Sequence, residues 1–256
     1  MNRIRLTLFI LLLIVSGLFG DNPDREKLFV KANSYYSSNQ YSLALDLYAE
    51  IAASGMISFE LYYNMGNSYY RMGQIGSAIR YWEKARRLEP RNSGVNHNLA
   101  LARLQITDKM VIPKAFLPFQ LWWDMRDGLG VAPAFRLSGF ILFITTLLIF
   151  IPVFLKSGVK TRKWTTPLVV ISFIGFVFFL SLSLDGRRYN RTHQFGILLK
   201  KQVEVKSAPR DESNTLFMLH EGSKVRILNQ SGTDWIEISY FDDKVGWIKS
   251  KEIGEI

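Results

Sequence analysis

Hydrophobic positions fall into three regimes along this chain. Residues 24–110 carry apolar side chains at helical spacing between polar turns, the pattern of short amphipathic helices. Two uncharged apolar runs follow, 137–155 and 164–184, separated by the basic segment KSGVKTRK at 156–163. At 1.5 Å per residue each run makes a helix of about 28–32 Å, matching a hydrocarbon core of roughly 30 Å. A pair of this length flanked by charges predicts a transmembrane hairpin, which puts everything before and after it on one side of the membrane. From 194 to 256 the pattern changes to short alternating runs between turn clusters: VEVK, LFML, VRIL, WIEIS and VGWIK. Five short strands in so few residues predict a small all-β barrel. The fold class predicted is thus a multidomain membrane protein: an all-α repeat solenoid, a two-helix transmembrane hairpin and a C-terminal all-β barrel.

The first twenty residues begin with Arg3 and Arg5, run apolar from Leu6, and end before the polar DNPDRE. Segment 1–20 therefore reads as a signal peptide or N-terminal anchor, with Gly20 at the candidate cleavage site and Leu18 departing from the small-residue pattern. In either form the residues that follow are exported. The basic segment 156–163 then lies in the cytoplasm by the positive-inside rule, although Arg187, Arg188 and Arg191 fall outside. The net charge of +10 resides largely at these membrane flanks, so it predicts headgroup contact rather than nucleic-acid binding. The chain has no cysteine, which excludes disulfides, zinc–thiolate sites, a cysteine nucleophile and a lipoprotein anchor.

Comparing the helical region with itself at a shift of 34 residues aligns Asn33 with Asn67, Tyr35 with Tyr69, Ala44 with Ala78, and Tyr48 with Trp82. This period and pattern resemble the tetratricopeptide (TPR) repeat, with copies at 25–58 and 59–92 and a closing helix at 93–107. Gly66 and Ala78 are small where paired helices approach. Tyr69 and Trp82 fill the space between them, Gly73 makes the turn, and Pro90 ends the second helix. Asn39 replaces the turn glycine in the first copy. The third copy has Asn98-Leu99-Ala100 in register but Arg103 in place of an aromatic, and no second helix precedes Pro113. Arrays of this family bind protein partners on a concave face lined by first-helix positions. The resemblance puts Phe29, Asn33, Tyr63, Asn67, Tyr70, Arg71, His97 and Leu101 there. Asparagines at such positions are similar to part of a carboxylate-binding clamp, but the lysines that complete it are not evident.

Segment 111–136 is aromatic and broken by Pro113, Pro118 and Pro133. Trp122-Trp123 beside Arg126 suits a membrane interface, with a partner-binding helix as the alternative. The C-terminal order VEVKSAP, LHEGSKVRIL, DWIEI and VGWI resembles the bacterial SH3-like domain. The resemblance puts Gly222 in the turn before a strand. Trp235, Tyr240 and Trp247 are its groove candidates, with packing in the barrel as the alternative for the tryptophans. Lys206 and Ala208 depart from the usual Arg and Gly. Domains of this kind bind cell-wall peptides or proteins.

Taken together, this order of parts resembles BatE-type proteins of the bacterial aerotolerance (Bat) operon, and the stretch LFMLHEGSKVRIL is especially similar. The resemblance implies an inner-membrane protein with both soluble parts in the periplasm. Its implied partners are other Bat membrane proteins with von Willebrand factor A domains and a MoxR-type AAA+ ATPase. Its implied role is envelope assembly or oxidative-stress tolerance, and peptidoglycan is the alternative ligand. No cofactor, metal or nucleic-acid partner is expected. His97, His193 and His220 lack ligand spacing, and the S-x-x-K at Ser157 and Lys160 lacks its partner motifs. The chain is therefore expected not to be an enzyme, and His220-Glu221 is expected to be a solvated turn.

Overall fold

The computed structural model describes residues 23–108, 116–154, 159–230, 234–240 and 244–256. The N-terminal segment 1–20, residues 109–115 and Ser157 lie outside them. Helices α1 (Pro23–Ser37), α2 (Tyr41–Ala53), α3 (Phe59–Arg71), α4 (Ile75–Leu88) and α5 (Ser93–Gln105) form the repeat region. The turns need positive φ, which Asn39 (60°), Gly55 (84°) and Gly73 (75°) supply. Ser58 caps α3 by accepting from the Leu61 N–H at 3.1 Å, and Asn92 caps α5 through the Gly94 and Val95 N–H groups. Tyr48 and Trp82, one repeat apart, are each almost wholly buried between paired helices. Residue 66 has to be glycine, because a Cβ there would overlap the indole of Trp82.

Helix α6 (Leu117–Leu129) leads through Gly130 into α7 (Val131–Phe154), and α8 (Val159–Thr192) follows. Helices α7 and α8 are long and apolar enough to cross a membrane, and only 17% and 11% of their apolar stretches are buried within the protein. A soluble core helix would be mostly buried, so these lengths suit lipid. The two run antiparallel: Val131 lies against Ser183 and Gly186, Ile141 against Gly175, and Thr145 against Ser172. The hydroxyls of Thr145 and Ser172 meet at 2.6 Å, a polar contact between otherwise apolar helices. Helix α8 begins within the basic segment predicted as a loop and runs on past residue 184. Its solvent-side extension ends one residue before the first strand.

The barrel contains the five predicted strands, β2 (Gln202–Lys206), β3 (Thr215–His220), β4 (Lys224–Asn229), β5 (Trp235–Tyr240) and β6 (Lys244–Lys249). Two more, β1 (Gln194–Leu198) and β7 (Ile253–Glu255), pair with each other and extend the antiparallel order to β3-β2-β6-β5-β4-β1-β7. Strand β1 escapes the alternation pattern because its second half is buried on both faces. Those two added strands dock on the repeat.

Ile197 of β1 is fully buried in one cluster with Ala78, Trp82, Ala85 and Leu99, worth about 1.5–3 kcal/mol for such a side chain. Glu221 Oε1 accepts from the Gly76 N–H at 2.7 Å, so a barrel carboxylate satisfies a free donor at the start of α4. A Cβ on Gly76 would strike the Leu198 carbonyl. Arg80 Nε donates to the Glu255 carbonyl at 3.1 Å. At the centre Glu83, 2% exposed, meets Arg86 and Arg103 at 2.7 Å each and Lys224 at 3.6 Å. Arg103, the departure from the repeat pattern, thus reaches back to Glu83. Burial pushes the Glu83 carboxyl up, but the charges of Lys224, Arg86 and Arg103 outweigh it and hold it at about 2.

Replacing Glu83→Gln leaves three cations around a neutral group and is expected to cost about 3 kcal/mol of stability, read by denaturant unfolding of the purified protein. The carboxylate is held below its ordinary 4.5, so its contribution is complete above that pH and is lost as pH falls toward 2. Wild type is therefore expected to lose stability across that window relative to Glu83→Gln.

Candidate functional site

The first helices of the repeats carry a polar ladder that shapes one groove. Asn33 Oδ1 accepts from the Tyr48 hydroxyl at 2.6 Å and from Asn64 Nδ2 at 3.1 Å. One repeat later, Asn67 Oδ1 accepts from Trp82 Nε1 at 3.0 Å and from Asn98 Nδ2 at 3.1 Å. The 34-residue period thus repeats a hydrogen-bond pattern as well as a packing pattern. Burial pushes the Tyr48 phenol up to about 12, which keeps it a donor. Indole nitrogen can only donate, so Trp82 fixes the orientation of the Asn67 amide. The Asn67 Nδ2 is left without a protein partner among the described residues.

Beside this ladder lies a groove of about 300 Å³ lined by Tyr36, Tyr63, Asn67, Tyr70, Arg71, Trp82, Asn98 and Leu101. Tyr63, stacked on Phe59 at 5.4 Å, accepts from Asn98 Nδ2 at 3.2 Å. Tyr70 leans on Trp82 at 5.4 Å and its hydroxyl accepts from Gln105 at 2.8 Å. Arg71 and Leu101 are exposed at the rim. The groove therefore offers flat aromatic faces, one free amide donor and one guanidinium, a set that suits an extended peptide with an acidic or carbonyl-rich edge.

Five of the predicted concave-face residues line this groove: Tyr63, Asn67, Tyr70, Arg71 and Leu101. Asn33 sits in the equivalent hydrogen-bond pattern of the first repeat, Phe29 packs against Tyr48 at 5.9 Å, and His97 is exposed on α5 and is not among the groove-lining residues. Tyr36, Trp82 and Asn98 join the lining without having been predicted. The 34-residue shift already pairs Asn98 with Asn64, so its part in the ladder could have been found. Trp82 reads as core from its spacing and is core, almost wholly buried, with a small edge reaching the groove.

On the barrel, Trp235 is half-buried beside a polar hollow of about 310 Å³ that it shares with Lys200, Glu204, Lys206, Asp211, Lys249 and Glu252. Lys249 Nζ lies 5.5 Å from the indole centre and pairs with Asp211 at 2.6 Å. Tyr240 is 6% exposed in the barrel core, so it packs rather than lines a groove. Trp247 is half-buried on β6 opposite Lys206, outside that hollow.

The expectation of a solvated His220-Glu221 turn is corrected. Glu221 caps α4, and Asp108 accepts from the His220 N–H at 2.6 Å and the Ser223 hydroxyl at 2.7 Å, with His220 Nδ1 at 3.1 Å. Burial pushes the Asp108 carboxyl up, yet these hydrogen bonds prevail and hold it below its ordinary value. The trio of Ser, His and Asp is a latch, because the serine hydroxyl points at the carboxylate and not at the imidazole. Gly222, with φ 84°, makes the turn before β4 as the pattern predicts. In α6 the two tryptophans diverge: Trp122 donates to Asp185 at 3.0 Å, whereas Trp123 is exposed with Phe116, Leu117 and Phe119. Among the described residues no group of three or more His, Asp and Glu is placed to hold a metal ion.

Substituting Asn67→Leu keeps the branched side-chain shape but leaves the Trp82 N–H unpaired in a buried position. We expect a loss of about 2 kcal/mol in denaturant unfolding, well above the effect of replacing the exposed His97 by alanine.

Residues 59–92 match the tetratricopeptide repeat model and residues 201–254 match the bacterial SH3 domain model. No curated protein matches the chain. Among solved structures it is similar to the Sgt2 TPR domain from Aspergillus fumigatus, at 27% identity and a TM-score of 0.31, over 33% of this chain and 56% of that one. The chain thus joins a tetratricopeptide repeat to a bacterial SH3 domain, modules that are typically non-catalytic and that suggest protein–protein interaction or cell-wall binding.

Proposed function

We propose that this chain is a non-catalytic adaptor of the bacterial inner membrane that docks a protein partner in its TPR groove. The observation that carries this reading is the groove itself: aromatic walls, the Asn67 amide donor and Arg71 lie together on the first helices, while the barrel covers α4 and the end of α5. The open face is therefore not the one used for internal docking. Helices α7 and α8 hold the head at the bilayer, with both soluble parts in the periplasm and segment 156–163 in the cytoplasm. The resemblance to BatE-type proteins supports the finer assignment. The partners would then be Bat membrane proteins with von Willebrand factor A domains and a MoxR-type ATPase, within an envelope complex linked to oxidative-stress tolerance.

Arg71→Glu combined with Leu101→Asp reverses the charge and polarity of the rim at two exposed positions and leaves the ladder intact. Purified from crosslinked native membranes, this variant is expected to lose the partners recovered with wild type by at least about tenfold, with an unchanged circular dichroism spectrum. Equal recovery from both would overturn groove docking.

A second reading rests on the hollow beside Trp235, where an indole face sits among lysines and carboxylates. It makes the barrel a peptidoglycan binder. The detergent-solubilised protein should then sediment with purified sacculi, and Trp235→Ala should release most of it into the supernatant. No sedimentation of wild type would remove this reading.

A further inference from the structure

A second cavity, of about 340 Å³, lies where the end of α4, the α6–α7 turn, the end of α8 and strands β1 and β4 converge. It differs from the peptide groove in charge. Four cations line it, Arg86, Arg87, Arg126 and Lys224, against two carboxylates, Glu83 and Asp127. The pairing leaves this wall short of acceptors. Glu83 divides its two oxygens among Arg86, Arg103 and Lys224. Asp127 is taken by Arg126 at 2.7 Å, and Asp185 by Arg126 and Trp122. Four cations therefore share three carboxylates, and Arg87 is a fifth cation at the same wall. Arg86 Nε is buried without a hydrogen-bond partner, and Arg87 lines the cavity beside it, in the field of Glu83 and Arg86. Burial pushes the Lys224 ammonium down and the neighbouring arginines add to the effect, as a crowded positive site requires.

The position of the cavity limits what fills it. Gly130 and Val131 precede the apolar run of α7, and Gly186 and Asn190 follow that of α8. Because the helices are antiparallel, both margins lie at one face of the bilayer, in the headgroup layer. Val131 and Pro133 add an apolar edge on that side. Guanidinium groups match phosphate oxygens with paired, charge-assisted hydrogen bonds.

We propose that this cavity binds a phosphate group, with Arg87 as its principal donor and Arg86 and Lys224 adding charge. Two sources supply that chemistry at this level, an anionic phospholipid headgroup and a soluble phosphate. The bound anion would neutralise the excess charge and tie the repeat, the barrel and the membrane pair together at one point. The inference rests on α7 and α8 lying in a membrane, which reconstitution checks separately.

The test uses the full-length protein, in phosphatidylcholine nanodiscs with and without phosphatidylglycerol and in detergent with and without inorganic phosphate. Thermal unfolding is the readout. A rise in Tm with phosphatidylglycerol but not with inorganic phosphate identifies the lipid headgroup; a rise with inorganic phosphate identifies a soluble ligand. In each case Arg87→Gln should weaken the dependence on ligand concentration by about tenfold, since it removes charge-assisted bonds to the anion. Its own Tm without ligand serves as the baseline for that comparison, because Arg87 also feels the charges of Glu83 and Arg86. Arg188→Gln removes the same charge at an exposed position outside the cavity and should change nothing. Incorporation into nanodiscs with no ligand-dependent shift overturns the site while leaving the membrane reading intact. An equal effect of Arg188→Gln and Arg87→Gln overturns it as well, by showing a diffuse attraction of the basic surface. Failure to enter nanodiscs at all would count against the membrane reading itself and remove the headgroup source.

Discussion

A single buried carboxylate holds this protein's parts in register. Glu83, on the second helix of the second repeat, is almost wholly removed from water yet stays ionised because Arg86, Arg103 and Lys224 converge on it from α4, α5 and β4. Burying an ion costs several kcal/mol, and attraction to its partners roughly offsets that cost. The cluster therefore adds little net stability but makes any other placement of the barrel expensive. The driving force comes from apolar contact, with Ile197 seated among Ala78, Trp82 and Leu99. Geometry is set by charge and affinity by burial.

That division explains the departures from a regular repeat. An array ending after one helix of its third copy leaves the flank of α4 and α5 uncovered, and a solenoid end with an apolar flank must be capped. Here the barrel supplies the cap, through two strands that a minimal five-strand barrel would not need. Arg103 replaces an aromatic, Gly76 admits the Leu198 carbonyl, and Glu221 caps the start of α4 with a carboxylate from the barrel. Each is a poor choice for a repeat continued by another repeat and a suitable one for a repeat closed by a sheet.

The same arrangement separates the surfaces that are left. Docking consumes the second-helix side of the array, so the first-helix groove with Asn67 and Arg71 stays open. Helix α8 passes into β1 with only His193 between them, which ties the barrel's orientation to the α7–α8 pair. Excess positive charge gathers where these parts meet, beside the ends of the two long apolar helices. The proposed peptide groove and the proposed phosphate cavity have no lining residue in common.

Much of this was legible in the residues taken in order. The 34-residue period, the turn positions at Asn39 and Gly73, the two apolar runs and the alternation of β2 to β6 all depend on contacts between near neighbours in the chain, so they leave a local pattern. Five of the eight expected groove positions line the groove for the same reason: helical spacing decides which face a residue occupies. Trp82 escaped because spacing marks it as core, and only the packed structure shows that its other edge forms the groove wall. Tyr240 is the converse, an aromatic proposed for a surface that lies in the barrel core. The joint between repeat and barrel was not legible. Glu221 and the Gly76 amide that it caps are 145 residues apart, and neither position differs in type from an ordinary turn acid or helix glycine. Sequence alone determined the modules, because each is stabilised by contacts at fixed short spacing. Only tertiary structure decided how they dock, because a buried charge and its partners are specified by position in space and leave no period along the chain.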